Sequence, residues 1–419
     1  MSRREAIAAL ASTAAVPLLS ACERASVPAA TPSGTADEEA RKLLDEIAEN
    51  LLRLMPETAT SLGIDTGDRA ALRSQLMDRS AEGQRRIADQ LRRDLERARA
   101  FDASTLSHAT RTSLEVVRSA YATALEGFAL PYGDVPVGGW RITPYVVIQN
   151  VGAYLDIPRF LDADHRIESA SDAEAYLARM QSYARQLDGE LGRIRDARAK
   201  GLVPPAFLID KALEQLQLSI RNTREGGTLV ASIEGRTKNI PGNWAERARA
   251  IAVQEIAPAL ERQHDELRAQ RAAATNEAGM WARPNGEEYY RWALKASTTT
   301  TLTPDEVHEM GQRELKELHA RMDEILRRAG YSTGSVGERM QALATDPRYQ
   351  FSDGDAGRKE ILDFIEDRLA WIRAQMPRAF HTLVDPNMEV RRLPPEEEPG
   401  APAAYGGAGS IDGSIPGRF

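Results

Sequence analysis

Cysteine is almost missing from this chain: Cys22 stands alone among 419 residues. That excludes an internal disulfide and a thiolate metal cluster. A long apolar run is missing too, for Ala6–Leu19 covers only 14 residues against the ~20 that a bilayer crossing needs. There is no basic excess. Lys and Arg number 54 against 62 Asp and Glu, a net charge of −8, which argues against a sequence-independent nucleic-acid binder. The basic-looking stretch from Arg85 to Arg99 is interleaved with Asp89, Asp94 and Glu96 and reads as a solvated helix face.

Several catalytic signatures are also missing. The six histidines (His108, His165, His264, His308, His319 and His381) include no pair four residues apart. A helical zinc-peptidase motif needs such a pair, and His308-Glu309 begins the pattern only for Gln312 to end it. His308 and His319 share a helix face but lie about 16 Å apart along the axis, too far to hold one ion. The remaining histidines read as surface or satisfied core residues, and the residues alone specify no metal site. Gly334-Ser335-Val336-Gly337 falls short of a nucleophile elbow because Thr333 replaces the first glycine. It reads instead as a turn and N-cap before Glu338. No phosphate loop or dinucleotide fingerprint is present.

What is there is an ordinary globular composition, 42% hydrophobic and 28% charged, behind a distinctive N-terminus. Arg3 and Arg4 precede the short apolar stretch and resemble a twin-arginine export signal. Leu19-Ser20-Ala21-Cys22 resembles a bacterial lipobox, with the chain's one cysteine at the position that takes lipid. The expectation is a signal peptide over residues 1–21 and a lipidated flexible stalk over 22–36, with a helical domain over 37–419. An ordinary cleaved signal with an incidental cysteine is the alternative. Glu23 is not the aspartate associated with inner-membrane retention, which favours the outer membrane and a location facing the periplasm or cell exterior.

Hydrophobic spacing predicts a mostly α, multi-helix protein. Thr35–Glu38 and Ser171–Glu174 have capping-box spacing, and Thr303-Pro304-Asp305-Glu306 is the cleanest helix start. Further helices follow Ile87–Leu95, Leu114–Phe128, Leu177–Ile194, Ile209–Ile220 and Ile361–Met376. A long pattern from Trp244 to Arg271 carries Pro258 and predicts a kink. Met388–Leu393 is the best strand candidate and Tyr145–Ile148 a weaker one. Leu130–Pro144 and Arg221–Asn243 read as long loops of functional size.

Two clusters stand out from structural sequence. Tyr289-Tyr290 and the threonine run Thr298–Thr301 precede a helix bearing His308, Gly311 and Glu314 towards one face. Either a ligand approaches that face or it packs closely on another helix beside a polar network. The second cluster is the glycine-rich C-terminus, Tyr405 to Phe419.

On these stretches the chain resembles a bacterial family of exported proteins, domain-of-unknown-function family 885. Matching segments include Pro56–Thr60 with Leu62-Gly63, Pro144–Asp164, Gly201–Asp210, Tyr289-Tyr290, Thr298–Gly311, Phe351–Gly357 and Asp412–Phe419. The resemblance implies a cleft-forming, zinc-metallopeptidase-like helical fold whose intact members hydrolyse peptides. The zinc motif of such members lies beyond the segment matching Asp412–Phe419, so no zinc ligand or general base carries over to this chain. The expectation is an N-terminal portion, inactive alone and incomplete at its C-terminus, with zinc held only by full-length relatives. Tyr289, His308, Tyr405 and Asp412 match recurrent family positions and are candidates for lining the cleft. The alternative is a non-catalytic helical lipoprotein, tethered to the membrane by its lipid, that binds peptides or cell-wall fragments.

Overall fold

The computed structural model describes residues 34–138, 142–381, 383, 388–392, 406–407, 409–411 and 413–419. Cys22, Arg3, Arg4, Tyr405 and Asp412 lie outside the described residues. Fourteen α-helices and two short strands make up the regular structure described, so the mostly helical expectation holds. The chain divides into a body, residues 33–300 with 385–419, and a smaller helical unit over 301–384.

The body begins with α1 (Thr35–Leu54) and α2 (Pro56–Ser61), then α3 (Ala81–Ala100) and α4 (His108–Phe128). Apolar residues spaced three and four apart put Leu43, Ile47, Leu91, Leu95, Leu114 and Tyr121 into one cluster between α1, α3 and α4. The basic stretch on α3 faces water and pairs locally, Arg92 with Asp89 at 2.6 Å. The start of α1 differs from the capping-box expectation. Its N-cap is Gly34 with no side-chain bond, so Thr35 is the first helical residue and not the cap, and Asp37 accepts the Ser107 amide at 2.9 Å.

A larger core surrounds α6 (Ala170–Ala199), flanked by α5 (Ala153–Ala163), α7 (Ala206–Glu225) and α8 (Thr228–Arg236). Tyr176, Met180, Tyr183 and Leu187 of α6 are fully buried, each contributing roughly 1.5–3 kcal/mol. The capping box of α6 uses Ser169 and Asp172 rather than Ser171 and Glu174. Glu174 is drawn to Arg247, at 2.6 Å. The stop at Gly201 is as expected, with its φ of +77°.

The loop expected over Arg221–Asn243 is mostly helix. α7 runs to Glu225, and α8 begins after the break at Gly226-Gly227. Asn222 fills that break, accepting the Thr228 amide at 2.9 Å. A Cβ on Gly227 would lie 1.3 Å from its oxygen. α9 (Trp244–Ile251) passes through a π-turn over Ala252–Ile256 into α10 (Ala257–Arg271). The π-turn accommodates Pro258, which has no amide hydrogen to give the preceding turn.

α11 (Gly286–Thr298) packs on α4 through Trp292, whose Nε1 donates to the Thr123 carbonyl at 2.8 Å. Gly127 makes room for the ring, since a Cβ there would fall 2.2 Å from it. The C-terminal residues return to the body. β1 (Met388–Glu389) pairs in parallel with β2 (Gly417–Arg418), Met388 opposite Gly417, and Arg418 pairs with Asp164 at 2.7 Å. Among the described residues of Met388–Leu393, the strand covers Met388–Glu389, and Leu393 lies outside the described residues. Tyr145–Ile148 is not a strand; it shows a single bridge, Ile148 to Val151, and the Tyr145 amide donates to the Thr143 hydroxyl.

The smaller unit holds α12 (Pro304–Arg328), α13 (Val336–Ala344) and α14 (Gly354–Gln375). Thr303 and Glu306 form the expected capping box, with Pro304 in the first turn. Ser335 caps α13 with Glu338, so the near-elbow sequence is a helix start. Arg339, buried in this unit, reaches Asp323 at 2.5 Å.

Candidate functional site

Within the body, a cavity of about 250 Å³ opens beside the last turns of α6. Phe128, Val147, Ile194, Leu202 and Leu267 give it an apolar lining, and Asp196 and Lys200 stand at its rim. Helical spacing puts Arg193, Asp196 and Lys200 on one face. Arg193 turns inward, lying 2.7 Å from Asp134 and donating to the Gly133 carbonyl at 3.1 Å. Asp196 and Lys200 are exposed, and neither side chain has a partner among the described residues.

Two irregular segments, Leu130–Val135 and Pro144–Val147, form the opposite wall. They meet where the Gly133 amide donates to the Pro144 carbonyl at 3.1 Å. A Cβ at Gly133 would sit 2.8 Å from the Thr143 oxygen, so only glycine allows this approach. Val146 and Val147 are buried, yet their backbone amides donate to no group among the described residues. Buried amides are nearly always paired; Val146 and Val147 are both lining residues of the cavity.

A strap, Gly279–Asn285, is fastened to both cavity tyrosines. Tyr132 donates to the Pro284 carbonyl at 2.6 Å, and Arg283 Nε donates to the Tyr145 hydroxyl at 2.9 Å. Tyr289 stacks behind Tyr132 with ring centroids 4.1 Å apart. It is 4% exposed, and its hydroxyl has no hydrogen-bond partner among the described residues. Burial, then the neighbouring tyrosines, push the Tyr289 hydroxyl above the ordinary tyrosine range; Tyr132 is pushed up to about 12, chiefly by burial. Both are neutral donors at physiological pH.

Beneath this wall lies a buried charge network. Glu190 is wholly buried and accepts from Arg79 at 3.0 Å, from Gln263 at 3.2 Å and from the Ala153 amide at the start of α5 at 2.9 Å. Burial pushes its carboxyl up while Arg79 opposes the shift. Burial alone would depress Arg79, but Glu190, Asp156 and Asp134 outweigh it. Deeper still, fully buried Arg179 donates to His165 Nδ1 at 2.7 Å, and to Thr60 at 2.7 Å and the Leu72 carbonyl at 3.1 Å. These contacts are structural: the guanidinium ties α6 to residues 60–75.

Of the four residues singled out for the cleft, Tyr289 stands behind the cavity wall. His308 is exposed on α12 of the smaller unit, bonded to Gln312 at 2.8 Å. Tyr405 and Asp412 fall outside the described residues. The Leu130–Pro144 loop flagged in the sequence does line the cavity. The unpaired amides of Val146 and Val147 were not foreseen, and nothing in the residue types announces them. Among the described residues no group of three or more His, Cys, Asp or Glu side chains is placed to hold a metal ion. No hydrolytic step is assigned to these residues.

A family model described as a bacterial protein of unknown function, DUF885, matches residues 56–419. A crystal structure of a candidate lipoprotein from Colwellia psychrerythraea superposes with a TM-score of 0.83 at 23% identity. It covers 92% of this chain and 67% of its own length. A candidate lipoprotein of unknown function from Shewanella oneidensis gives a TM-score of 0.51 at 12% identity, over 85% of this chain and 60% of its own. At these identities the likeness is one of fold. This chain spans about two thirds of the length of the first and three fifths of the second. No curated protein matches the sequence.

Proposed function

The chain belongs to the DUF885 family of bacterial proteins of unknown function, and from that membership we propose that it is an exported, lipid-anchored protein whose helical body holds peptide-like ligands. The anchor reading rests on Cys22 in its lipobox-like context and on the lipoprotein description of the two similar structures. No helix among the described residues is long and apolar enough to cross a membrane. The proposed place faces the periplasm or cell exterior, at the outer membrane.

One observation carries the binding reading: the Val146 and Val147 amides, with no partner among the described residues, in a cavity of mixed apolar and polar lining. Two adjacent donors in this wall suit the carbonyl or carboxylate oxygens of a peptide-like chain. Asp196 and Lys200 at the rim offer opposite charges to the ends of a short zwitterionic ligand. The apolar lining suits one aliphatic side chain. In this reading the chain supplies a ligand-holding wall of a zinc-peptidase-like protein, and hydrolysis belongs to residues other than those described.

Calorimetric titration of the purified chain with a short peptide bearing free termini and a central leucine tests this. Saturable binding is expected, weakened about tenfold, or roughly 1.4 kcal/mol, by Lys200→Glu or Asp196→Lys. Both positions are exposed, so the fold tolerates the change. Binding indifferent to both reversals, or none at millimolar peptide, overturns the reading.

A further inference from the structure

The cavity beside α6 is also bordered by a buried side-chain amide, that of Gln270 in the last turn of α10. Gln270 is 1% exposed. Its Nε2 donates to the Glu266 carboxylate at 3.1 Å and to the Ile194 carbonyl of α6 at 3.4 Å. Glu266 is ion-paired with Arg195 at 3.3 Å and Arg198 at 3.1 Å, so it accepts, and a backbone carbonyl can do nothing else. The amide therefore cannot be turned over. Its nitrogen faces the two acceptors and its oxygen is left to accept.

Gln263, seven residues earlier on the same face of α10, repeats this arrangement. Its Nε2 donates to the Leu187 carbonyl of α6 at 2.8 Å and to Glu190 at 3.2 Å. The two glutamines differ in their oxygens. Gln263 Oε1 is sealed in the core without a partner. Gln270 Oε1 has no partner among the described residues either, yet it is not sealed, and the open space that Gln270 borders is the cavity. An acceptor held in a buried wall without a donor is costly to leave unpaired, and a ligand N–H removes that cost.

The cavity thus carries both halves of an amide's complement. Val146 and Val147 bring donors on one side, and Gln270 brings an acceptor on the side of α6 and α10. A carboxylate or an ester has no N–H for the acceptor, and an amine has no carbonyl for the donors. A secondary amide has both. We propose that Gln270 is a specificity-determining residue that accepts the N–H of a ligand peptide bond through Oε1, so that the cavity selects secondary amides over esters. This rests on the reading of the cavity as a peptide-like ligand site and adds the group that tells an amide from its oxygen analogue. A ligand lacking the hydrogen leaves the acceptor desolvated and facing lone pairs, which is how a site built around a hydrogen bond rejects a near-isostere.

Isothermal titration of the full chain with a leucine-centred tripeptide of free termini provides the test, alongside two depsipeptide analogues in which one or the other backbone N–H is replaced by oxygen. One analogue is expected to bind about tenfold more weakly than the peptide. In Gln270→Met, which keeps the side-chain length and removes the amide, that ratio should shrink to about threefold or less, the remainder reflecting the weaker ester carbonyl. A merely structural role for Gln270 would weaken peptide and ester alike and leave the ratio intact. The ratio in the parent chain needs no substitution, so it decides the matter even if Gln270→Met folds poorly. Peptide binding with both analogues within about twofold of it, or a ratio unchanged in Gln270→Met, overturns this inference and leaves the ligand reading standing. No saturable binding of the peptide overturns both.

Discussion

Lowering the pH from 7.5 to 5 should destabilise the body through His165, and the size of the loss follows from the geometry. Arg179 can only donate, so its contact with His165 Nδ1 at 2.7 Å requires a lone pair there. Nε2 must then carry the proton and donate to the Asp172 carbonyl, 3.0 Å away. Protonating Nδ1 would abolish the first bond and set two cations face to face in the core. Burial, then the Arg179 charge, lower the imidazole from 6.5 to about 3. The unfolded chain takes up a proton near pH 6.5 and the folded chain does not. This group's stabilisation is therefore complete above pH 6.5 and is lost as pH falls towards 3. At pH 5 the loss is about 2 kcal/mol, or a fall of roughly 3 °C in Tm for a body of this size. Asp65 and Asp172, held below the ordinary carboxylate range, each despite the opposing effect of burial, lose their contribution only below about pH 4, outside this window. Thermal unfolding followed by circular dichroism from pH 7.5 to 5 measures the slope in the parent and in His165→Asn. The variant starts lower but should be flatter with pH. Parallel slopes would refute the reasoning.

Two further outcomes follow from the buried groups. Arg79→Met strands the Glu190 carboxylate in the core and should cost about 3–5 kcal/mol, with more than about 1 kcal/mol recovered in Arg79→Met/Glu190→Gln by chemical denaturation; additive losses would show that the two side chains are not coupled. Tyr289→Phe removes a hydroxyl with no described partner and should change stability by less than about 0.5 kcal/mol, whereas Tyr289→Ala opens a cavity worth about 3–5 kcal/mol. A cost above about 1.5 kcal/mol for the phenylalanine would mean that the hydroxyl is bonded.

The elements that could be read in the sequence are those decided within one turn of helix. Thr303, Pro304 and Glu306 form their cap with one another, and Gly201 ends α6 by its own backbone freedom. Where a distant residue competes, local reading fails. Glu174 leaves the start of α6 for Arg247. The segment 221–243 looked like a loop because of its glycines, but Gly226 and Gly227 break the chain for two residues only. The cavity was legible as a functional loop and no further. Its defining donors are backbone amides, which every residue but proline carries, and only the fold decides that those of Val146 and Val147 find no partner among the described residues. His165 could be read in the sequence only as a surface or a core histidine, and its tautomer depends on Arg179, fourteen residues on along the chain in α6.

The central claim, that the cavity beside α6 holds a peptide-like ligand, is tested most directly by photo-crosslinking. A short peptide with free termini and a central photoreactive leucine analogue is bound to the chain, irradiated and mapped by mass spectrometry. Crosslinks confined to Phe128–Val147 and Ile194–Leu202, and competed away by the unlabelled peptide, are the expected result. Crosslinks scattered over the surface, or competed crosslinks only elsewhere in the chain, would contradict it.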